Sequence, residues 1–192
     1  MGLYGRGFKR FVDLSIAGAG FCVFAVPMAW IAWQLRRDIG SPVFFRQIRV
    51  GLRRKPFTVL KFRTMTLDGI TVPSSFCQGL RACAMDELPQ LINILRGEMS
   101  FVGPRPLIPE ELETLEQLPR GQDRLSVRPG LTGLAQLYSR KVPALPERLR
   151  WDLAYVDRCS LFLDLKILFT SVAITLRGAW EKPGSKEPPL KP

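Results

Sequence analysis

Asp86 and Glu87 are two adjacent carboxylates in a chain that contains no histidine. Without histidine, Ser-His-Asp and Cys-His machinery and His-ligated zinc are excluded. A general base must then be a carboxylate, Lys, Tyr or Cys. A carboxylate can also attack phosphorus to give an acyl phosphate, while its neighbour binds a divalent cation or takes a proton. Cations stand close by in sequence, with Arg81 before the pair and Arg105 after it. Arg105 lies in Gly103-Pro104-Arg105-Pro106, a stiff turn that projects one guanidinium. The planar fork of that group suits two-pronged contact with phosphate oxygens. Arg128-Pro129-Gly130 repeats the theme. Lys61 and Arg63 sit two apart on an expected strand, so they share a face about 6.6 Å apart and could meet a diphosphate. Each group also has a plainer reading. Acidic residues cap helix N-termini, an Arg in a turn can simply face solvent, and a basic strand face can be solvated.

The elements that must position these groups follow from periodicity. Pro42 to Val50 and Phe57 to Met65 read as two strands of a β-hairpin, joined by the turn Gly51 to Pro56. Alternation puts Leu60 and Phe62 on one side of the second strand and Lys61 and Arg63 on the other. Asp68 to Gln78 reads as an exposed loop. Glu87 to Arg96 reads as a helix that buries Leu88, Leu91, Ile92 and Leu95 and closes at Gly97, with Asp86-Glu87 at its opening. Pro109 to Leu118 is an expected helix, with Pro near its start and acids in its first turn. Arg124 to Gly133 reads as loop. Pro146 to Arg158 and Leu161 to Leu176 are further helices, the last either core or an amphipathic helix on a membrane surface. The Pro- and Lys-rich stretch 181–192 reads as a flexible tail. The expected fold class is α+β, mainly helical, as one domain over 1–180.

The N-terminal region points to a membrane. Leu14 to Leu35 holds no charged residue, and at 1.5 Å per residue a helix of that length just matches a bilayer core of about 30 Å. Its strongly apolar residues favour insertion by only about 2 to 5 kcal/mol, against which Pro27, Gln34 and two glycines weigh. Arg6, Lys9 and Arg10 precede the run; Arg36 and Arg37 follow it. Basic flanks favour the cytoplasmic side, and here both flanks qualify. The expectation is a re-entrant hairpin over 11–37 bending at Pro27, with a cytosolic body over 38–180; an ordinary single span is the alternative.

Hydrophobic residues make up 46% of the 192, enough to build a core. With 28 Lys and Arg against 17 Asp and Glu, the net charge is +11, which suits a polyanionic partner such as nucleic acid, anionic lipid or a phosphorylated substrate. Nine cations lie between Arg36 and Arg63, opposed only by Asp38. Cys22, Cys77, Cys83 and Cys159 have no C-x-x-C spacing, so they read as reduced structural cysteines in a cytosol-facing protein. Phenylalanines interleave with the cations, as in a single-stranded nucleic-acid binder. The apolar segment and the lack of a nucleic-acid motif argue against that reading, so no nucleic-acid partner is expected.

Lys9-Arg10-Phe11-Val12-Asp13, Pro42 to Gln47 with Arg49 and Gly51, and Lys61 to Met65 open a longer pattern. Asp86-Glu87-Leu88-Pro89-Gln90-Leu91, Val102 to Pro106, Arg128 to Gly133 with Gln136, and Asp164 to Ile167 complete it. In this order and spacing, over Lys9 to about Leu176, the chain resembles the bacterial sugar transferases, the monotopic phosphoglycosyl transferases, in their small form. Two departures stand out: Val26 rather than Ser precedes Pro27, and Tyr138-Ser139-Arg140 replaces Asn-Gly-Arg after Gln136.

The resemblance implies transfer of a phosphosugar from a UDP-sugar to undecaprenyl phosphate with release of UMP. This is the first membrane step of surface glycan synthesis, at the cytoplasmic face of the bacterial inner membrane. It implies Asp86 as nucleophile and Mg²⁺ ligand, and Glu87 as its assistant, positioning or deprotonating the lipid phosphate. Arg81 and Arg105 would lie near the phosphates, and Mg²⁺ would be the cofactor of a ping-pong reaction. The expected partners are membrane phospholipid and downstream glycosyltransferases; a homodimer is left open.

Overall fold

The computed structural model describes residues 4–65, 74–138 and 144–177. Part of the expected loop (68–73), Ser139-Arg140 and the tail 181–192 lie outside the described residues. The architecture is mainly helical, with two small two-stranded sheets.

The apolar N-terminal segment is one helix, α1 (Lys9–Ile39), with Pro27 inside it. The expected two-armed hairpin is therefore not present as a break in the helix; Pro27 removes one backbone donor, and helical geometry continues past it. Asp13, Ala17, Ile31 and Leu35 are buried. At about 100° per residue all four fall within roughly 40° of one another on the helix surface, so a single stripe meets the rest of the protein at both ends. The start of α1 belongs to a core of Ala17, Phe57, Val59, Leu91, Ile94 and Met99. Its end belongs to a second core of Ile31, Leu35, Phe62, Cys77 and Leu80. Between and around these points Val23, Val26, Trp30 and Trp33 are exposed. The helix is long and apolar enough to cross a membrane, with a mean hydropathy of 1.9 over its most apolar stretch, most of it uncovered by protein.

Strands β1 (Phe44–Val50) and β2 (Pro56–Phe62) form the expected antiparallel hairpin, with Phe44 opposite Phe62 and Val50 opposite Pro56. β2 stops at Phe62, short of Arg63. Phe57 and Val59 point into the core and Lys61 continues on their face. The outer edge of β2 is closed by a side chain, not by a third strand. Buried Asn93 accepts from the Leu60 amide (3.1 Å) and donates to the Thr58 carbonyl (2.7 Å). This satisfies backbone groups that would otherwise be orphaned.

Helix α2 (Ser75–Ala82) occupies the end of what reads in sequence as loop, with the Ser74 hydroxyl capping the Cys77 amide. Serine at an N-cap is a start signal that the Pro-Ser-Ser composition obscured. Asp86 and Glu87 do not open the next helix. They lie in a separate 3₁₀ turn, Met85–Glu87, entered through Ala84 in the left-handed region (φ 52°). Helix α3 (Gln90–Arg96) begins only after Pro89 and ends at Gly97 (φ 82°). Gly20 and Ala17 on α1 bring that helix close to Leu91 of α3.

β3 (Ser100–Val102) pairs in parallel with β4 (Gly130–Thr132), a sheet hidden in stretches that read as turn and loop. Helix α4 (Glu111–Gln117) is shorter than expected; α5 (Leu134–Tyr138), α6 (Leu145–Arg158) and α7 (Leu161–Leu176) complete the body. The N-terminus of α1 is tied to α7 through Asp164, which accepts from Tyr4 (2.7 Å), Tyr155 (2.8 Å) and Lys9. Asp13 accepts from Ser100 Oγ and the Phe101 amide. α7 leaves Phe162, Phe169, Val172 and Leu176 exposed at helical spacing while Ile167 is buried, as expected of a helix with one apolar face outward.

Arg63 is a structural residue. It is buried, and its guanidinium donates to the carbonyls of Ile39 (2.7 Å), Gly40 (2.9 Å) and Pro42 (2.6 Å). It thus caps the C-terminus of α1, where a cation also meets the helix dipole favourably. Arg63→Met is expected to destabilise the protein by on the order of 3 kcal/mol, read as a lowered melting temperature, with phosphate affinity unchanged in the folded fraction. An unchanged melting temperature would show the cap to be dispensable.

Candidate active site

Four charged or polar side chains from four segments meet Asp86 and Glu87 at the 3₁₀ turn. β2 delivers Lys61, whose ammonium pairs with Glu87 Oε1. The segment after β3 delivers Arg105, whose Nη2 lies 3.8 Å from the same oxygen. The end of α2 brings Arg81 near enough to Asp86 for its charge to favour the carboxylate. The start of α3 places buried Gln90 beside Glu87.

The two adjacent carboxylates are shifted in opposite directions. Burial alone would raise Glu87, but Lys61 and Arg105 outweigh it and hold the group below its usual range. Asp86 is pushed up to about 6, first by burial and then by the charge of Glu87; Lys61 and Arg81 only partly offset this. Among the described residues Asp86 makes no ion pair, whereas Glu87 holds two cations.

The Arg105 segment is fixed along its length. The carbonyl of Pro104 accepts from Gly130 N (2.9 Å), that of Arg105 from Arg124 Nη2 (2.5 Å), that of Pro106 from Arg49 Nη1 (3.1 Å), and that of Leu107 from Val50 N (2.9 Å). Arg124 is itself buried in an ion pair with Asp152 of α6 (2.6 Å). Gly103, Gly130 and Gly133 are needed because backbones cross here: a Cβ on Gly130 would lie 2.1 Å from Gly103 N, and one on Gly133 would lie 2.2 Å from Gly103 O. Four consecutive carbonyls are thus pinned while the Arg105 side chain stays partly exposed, so its guanidinium is pre-positioned rather than ordered by a ligand.

Lys61, Arg105, Arg49, Gln90, Val59 and Gly130 line a small open cleft beside the carboxylates. The structure therefore brings Asp86, Glu87, Lys61, Arg81 and Arg105 together. It separates Arg63, the α1 cap, and Arg128, whose Nε donates to the Gly97 carbonyl (2.9 Å). Arg10 joins Arg128 there, donating to the carbonyls of Ile94 and Leu95, so the two cations close α3 together. Arg128 is engaged in this cap rather than in the cleft. Pro27 lies in α1, away from the site. Arg49 and Gln90 belong to the pattern that carries the family resemblance, but the sequence assigned neither a place in the site: Arg49 was one of nine clustered cations, and Gln90 one polar residue within the Asp86-to-Leu91 stretch.

No cluster of three metal-ligating side chains occurs among the described residues. Mg²⁺ is commonly held by one or two carboxylates plus substrate phosphates. Asp86, without an ion pair among the described residues and close to a cationic cleft, fits a cation that arrives with a diphosphate, not a cage built by protein alone.

The profile of the family described as "Bacterial sugar transferase" matches residues 4–178, and the chain belongs to that family. It is 41% identical over 173 residues to "Uncharacterized sugar transferase EpsL" of Bacillus subtilis (strain 168), covering 85% of each chain. It is 36% identical over 181 residues to "UDP-glucose:undecaprenyl-phosphate glucose-1-phosphate transferase" of Caulobacter vibrioides, covering 85% of this chain and 68% of the relative. A Klebsiella pneumoniae protein of the same name is 35% identical over 182 residues, but the match spans only 39% of its length. The protein is accordingly an enzyme, a transferase.

The raised Asp86 has a consequence for stability. A carboxylate titrating at about 6 when folded and near 3.8 when unfolded costs stability as pH rises from 4 through 6, and the cost persists above that. Asp86→Asn removes it. The variant is expected to be more stable than wild type at pH 8 by on the order of 3 kcal/mol, with the difference vanishing below pH 4. Thermal unfolding at the two pH values measures this; a variant no more stable at pH 8 would contradict the assignment of the two carboxylates.

Proposed function

We propose that this enzyme moves a phosphosugar from a UDP-sugar to undecaprenyl phosphate, giving undecaprenyl diphosphosugar and UMP. The observation that carries the reading is the division of labour at Asp86-Glu87: one carboxylate without an ion pair among the described residues, beside another that holds two cations over a cleft. The names of the Caulobacter and Klebsiella relatives supply the donor and acceptor class.

Asp86 attacks the phosphorus that bears the sugar. A bond forms from its carboxylate oxygen to phosphorus, the diphosphate bridge breaks, and the bridging oxygen leaves on UMP. An oxygen of the lipid phosphate then attacks the same phosphorus and releases Asp86 unchanged. Lys61, Arg105 and Arg81 stabilise the negative charge that builds on the phosphoryl oxygens. Mg²⁺, held by Asp86 and the diphosphate, would add further neutralisation. Glu87 is held ionised by its two cations, which suits it to positioning them better than to accepting a proton. A phosphate monoester is largely dianionic at neutral pH, so the lipid acceptor does not demand a strong base. Attack requires ionised Asp86, so the rate is expected to rise with pH through about 6 and then level.

The packing of α1 supports one membrane arrangement. Residues 13 and 17 and residues 31 and 35 pack on one body, and the two cores they enter share strand β2. A helix carrying its ends to opposite sides of a bilayer would draw that strand, with Lys61 and the basic hairpin, into hydrocarbon, at several kcal/mol per charge. We therefore place both ends of α1, and the body, at the cytoplasmic face of the bacterial inner membrane, with the exposed apolar faces of α1 and α7 in phospholipid. Cysteines introduced at Phe11 and Asp38 should react with an impermeant reagent from the same side; labelling from opposite sides would rule this arrangement out. The product would pass to downstream glycosyltransferases that build exopolysaccharide, capsule, O-antigen or glycoprotein glycan.

The functional test is UMP release by detergent-purified protein given undecaprenyl phosphate, Mg²⁺ and a panel of UDP-sugars. One donor is expected to give UMP, with loss of more than a hundredfold in Asp86→Asn and on chelation by EDTA. UMP release undiminished in Asp86→Asn would remove that residue as nucleophile, and release from no donor would contradict the reading.

A further inference from the structure

Gln90 lines the same cleft as Lys61 and Arg105. The residue is 3% exposed, and its Nε2 has no hydrogen-bond partner. Buried polar groups are nearly always paired, and an orphaned donor costs stability. The carboxylate beside it is Glu87, whose charged form the amide favours, but the contact does not meet hydrogen-bond geometry, and Glu87 Oε1 is already taken by Lys61 and approached by Arg105. The other buried orphans among the described residues, Gln136 Oε1 and Arg148 Nε, do not line this cleft. An unpaired N–H donor beside two cations and a third, Arg49, is what a phosphate oxygen would complete.

We propose that Gln90 donates Nε2 to a non-bridging oxygen of the donor's diphosphate, so that the unsatisfied amide of the free enzyme is completed only by substrate. Lys61 and Arg105 lean on Glu87 when the cleft is empty of anion. A diphosphate draws both cations towards itself and uncovers the amide behind them. The inference deepens the phosphosugar-transfer reading and rests on it, but diphosphate binding can be measured without the reaction. The cost of burying an unsatisfied amide in the free state is recovered on binding, so Gln90 favours diphosphates over anions too small to reach past the two cations.

The test uses full-length protein in detergent with inorganic pyrophosphate and Mg²⁺ as the probe, measured by calorimetry, alongside the melting temperature and the kcat and KM for the active UDP-sugar. Gln90→Met keeps the volume and removes the amide. It is expected to weaken pyrophosphate about tenfold and raise the donor KM similarly, while the melting temperature holds or rises because an orphaned donor has gone. Gln90→Glu keeps the shape but places a carboxyl where the donor stood, and should weaken pyrophosphate more. A merely structural amide predicts the reverse pattern, a lowered melting temperature with unchanged pyrophosphate affinity. That result, or affinity within twofold of wild type in both variants, would overturn the proposal. Loss of pyrophosphate affinity in the variants supports it even where no UDP-sugar in the panel is turned over, which separates its failure from failure of the transfer reading.

Discussion

Two carboxylates joined by one peptide bond cannot both hold full charge in a half-buried site unless one of them is neutralised by the protein. Here Glu87 is neutralised, by Lys61 and Arg105, and Asp86 is left with its pKa raised to about 6. The rest of the body can be read as what this division requires. β2 must run beneath the 3₁₀ turn so that Lys61 emerges from the core face. The segment after β3 must approach from the other side to place Arg105. Ala84, held at positive φ, turns the chain so that neither carboxylate is absorbed into α3 as an N-terminal cap. Strain of this kind, about 1 kcal/mol for a non-glycine residue, is tolerable only where surrounding contacts fix the geometry.

Those contacts are made largely by arginines turned inward. Arg63 closes α1, Arg10 and Arg128 close α3, and Arg49 and Arg124 hold successive carbonyls of the Arg105 segment. A net charge of +11 thus overstates the cation count available to a ligand. Guanidinium is suited to this use because its donors fan out in a plane and can span carbonyls that no longer have helical partners. The same segment is stapled by the glycine crossing of Gly103, Gly130 and Gly133, where any side chain would meet backbone. Arg105 is therefore rigid at its root and partly exposed at its tip, beside Glu87, the combination a phosphate clamp needs.

The sequence displayed the chemistry better than the architecture. Asp86-Glu87 was legible because histidine is absent and cations flank the pair, and the hairpin β1–β2 was legible from alternation. The roles of Arg63 and Arg128 were not, because an arginine that binds phosphate and one that caps a helix present the same residue to the reader. Only the end of β2 at Phe62 and the position of Gly97 decide between them. The parallel pair β3–β4 was hidden because each strand has three residues and flanking glycines and prolines signal turns. α2 was masked by the Pro-Ser-Ser that caps it. At Pro27 a bend between two arms was expected, and α1 runs through it as one helix, since one missing hydrogen bond is small beside the packing at both ends. Gln90 stood in the motif after Asp86-Glu87 but carried no signal of its own role, which lies in a hydrogen-bond geometry that only the fold reveals.

The central claim is that Asp86 itself carries the phosphosugar between donor and acceptor. It is tested most directly by mixing detergent-purified protein with Mg²⁺ and the active UDP-sugar, omitting undecaprenyl phosphate, quenching, and weighing the intact chain. The account predicts a mass gain of one phosphosugar per chain, mapped to Asp86, absent in Asp86→Asn and lost when the lipid phosphate is added. Turnover in the presence of lipid with no mass gain in its absence, under conditions that preserve acyl phosphates, would contradict it and point to direct transfer between the two substrates.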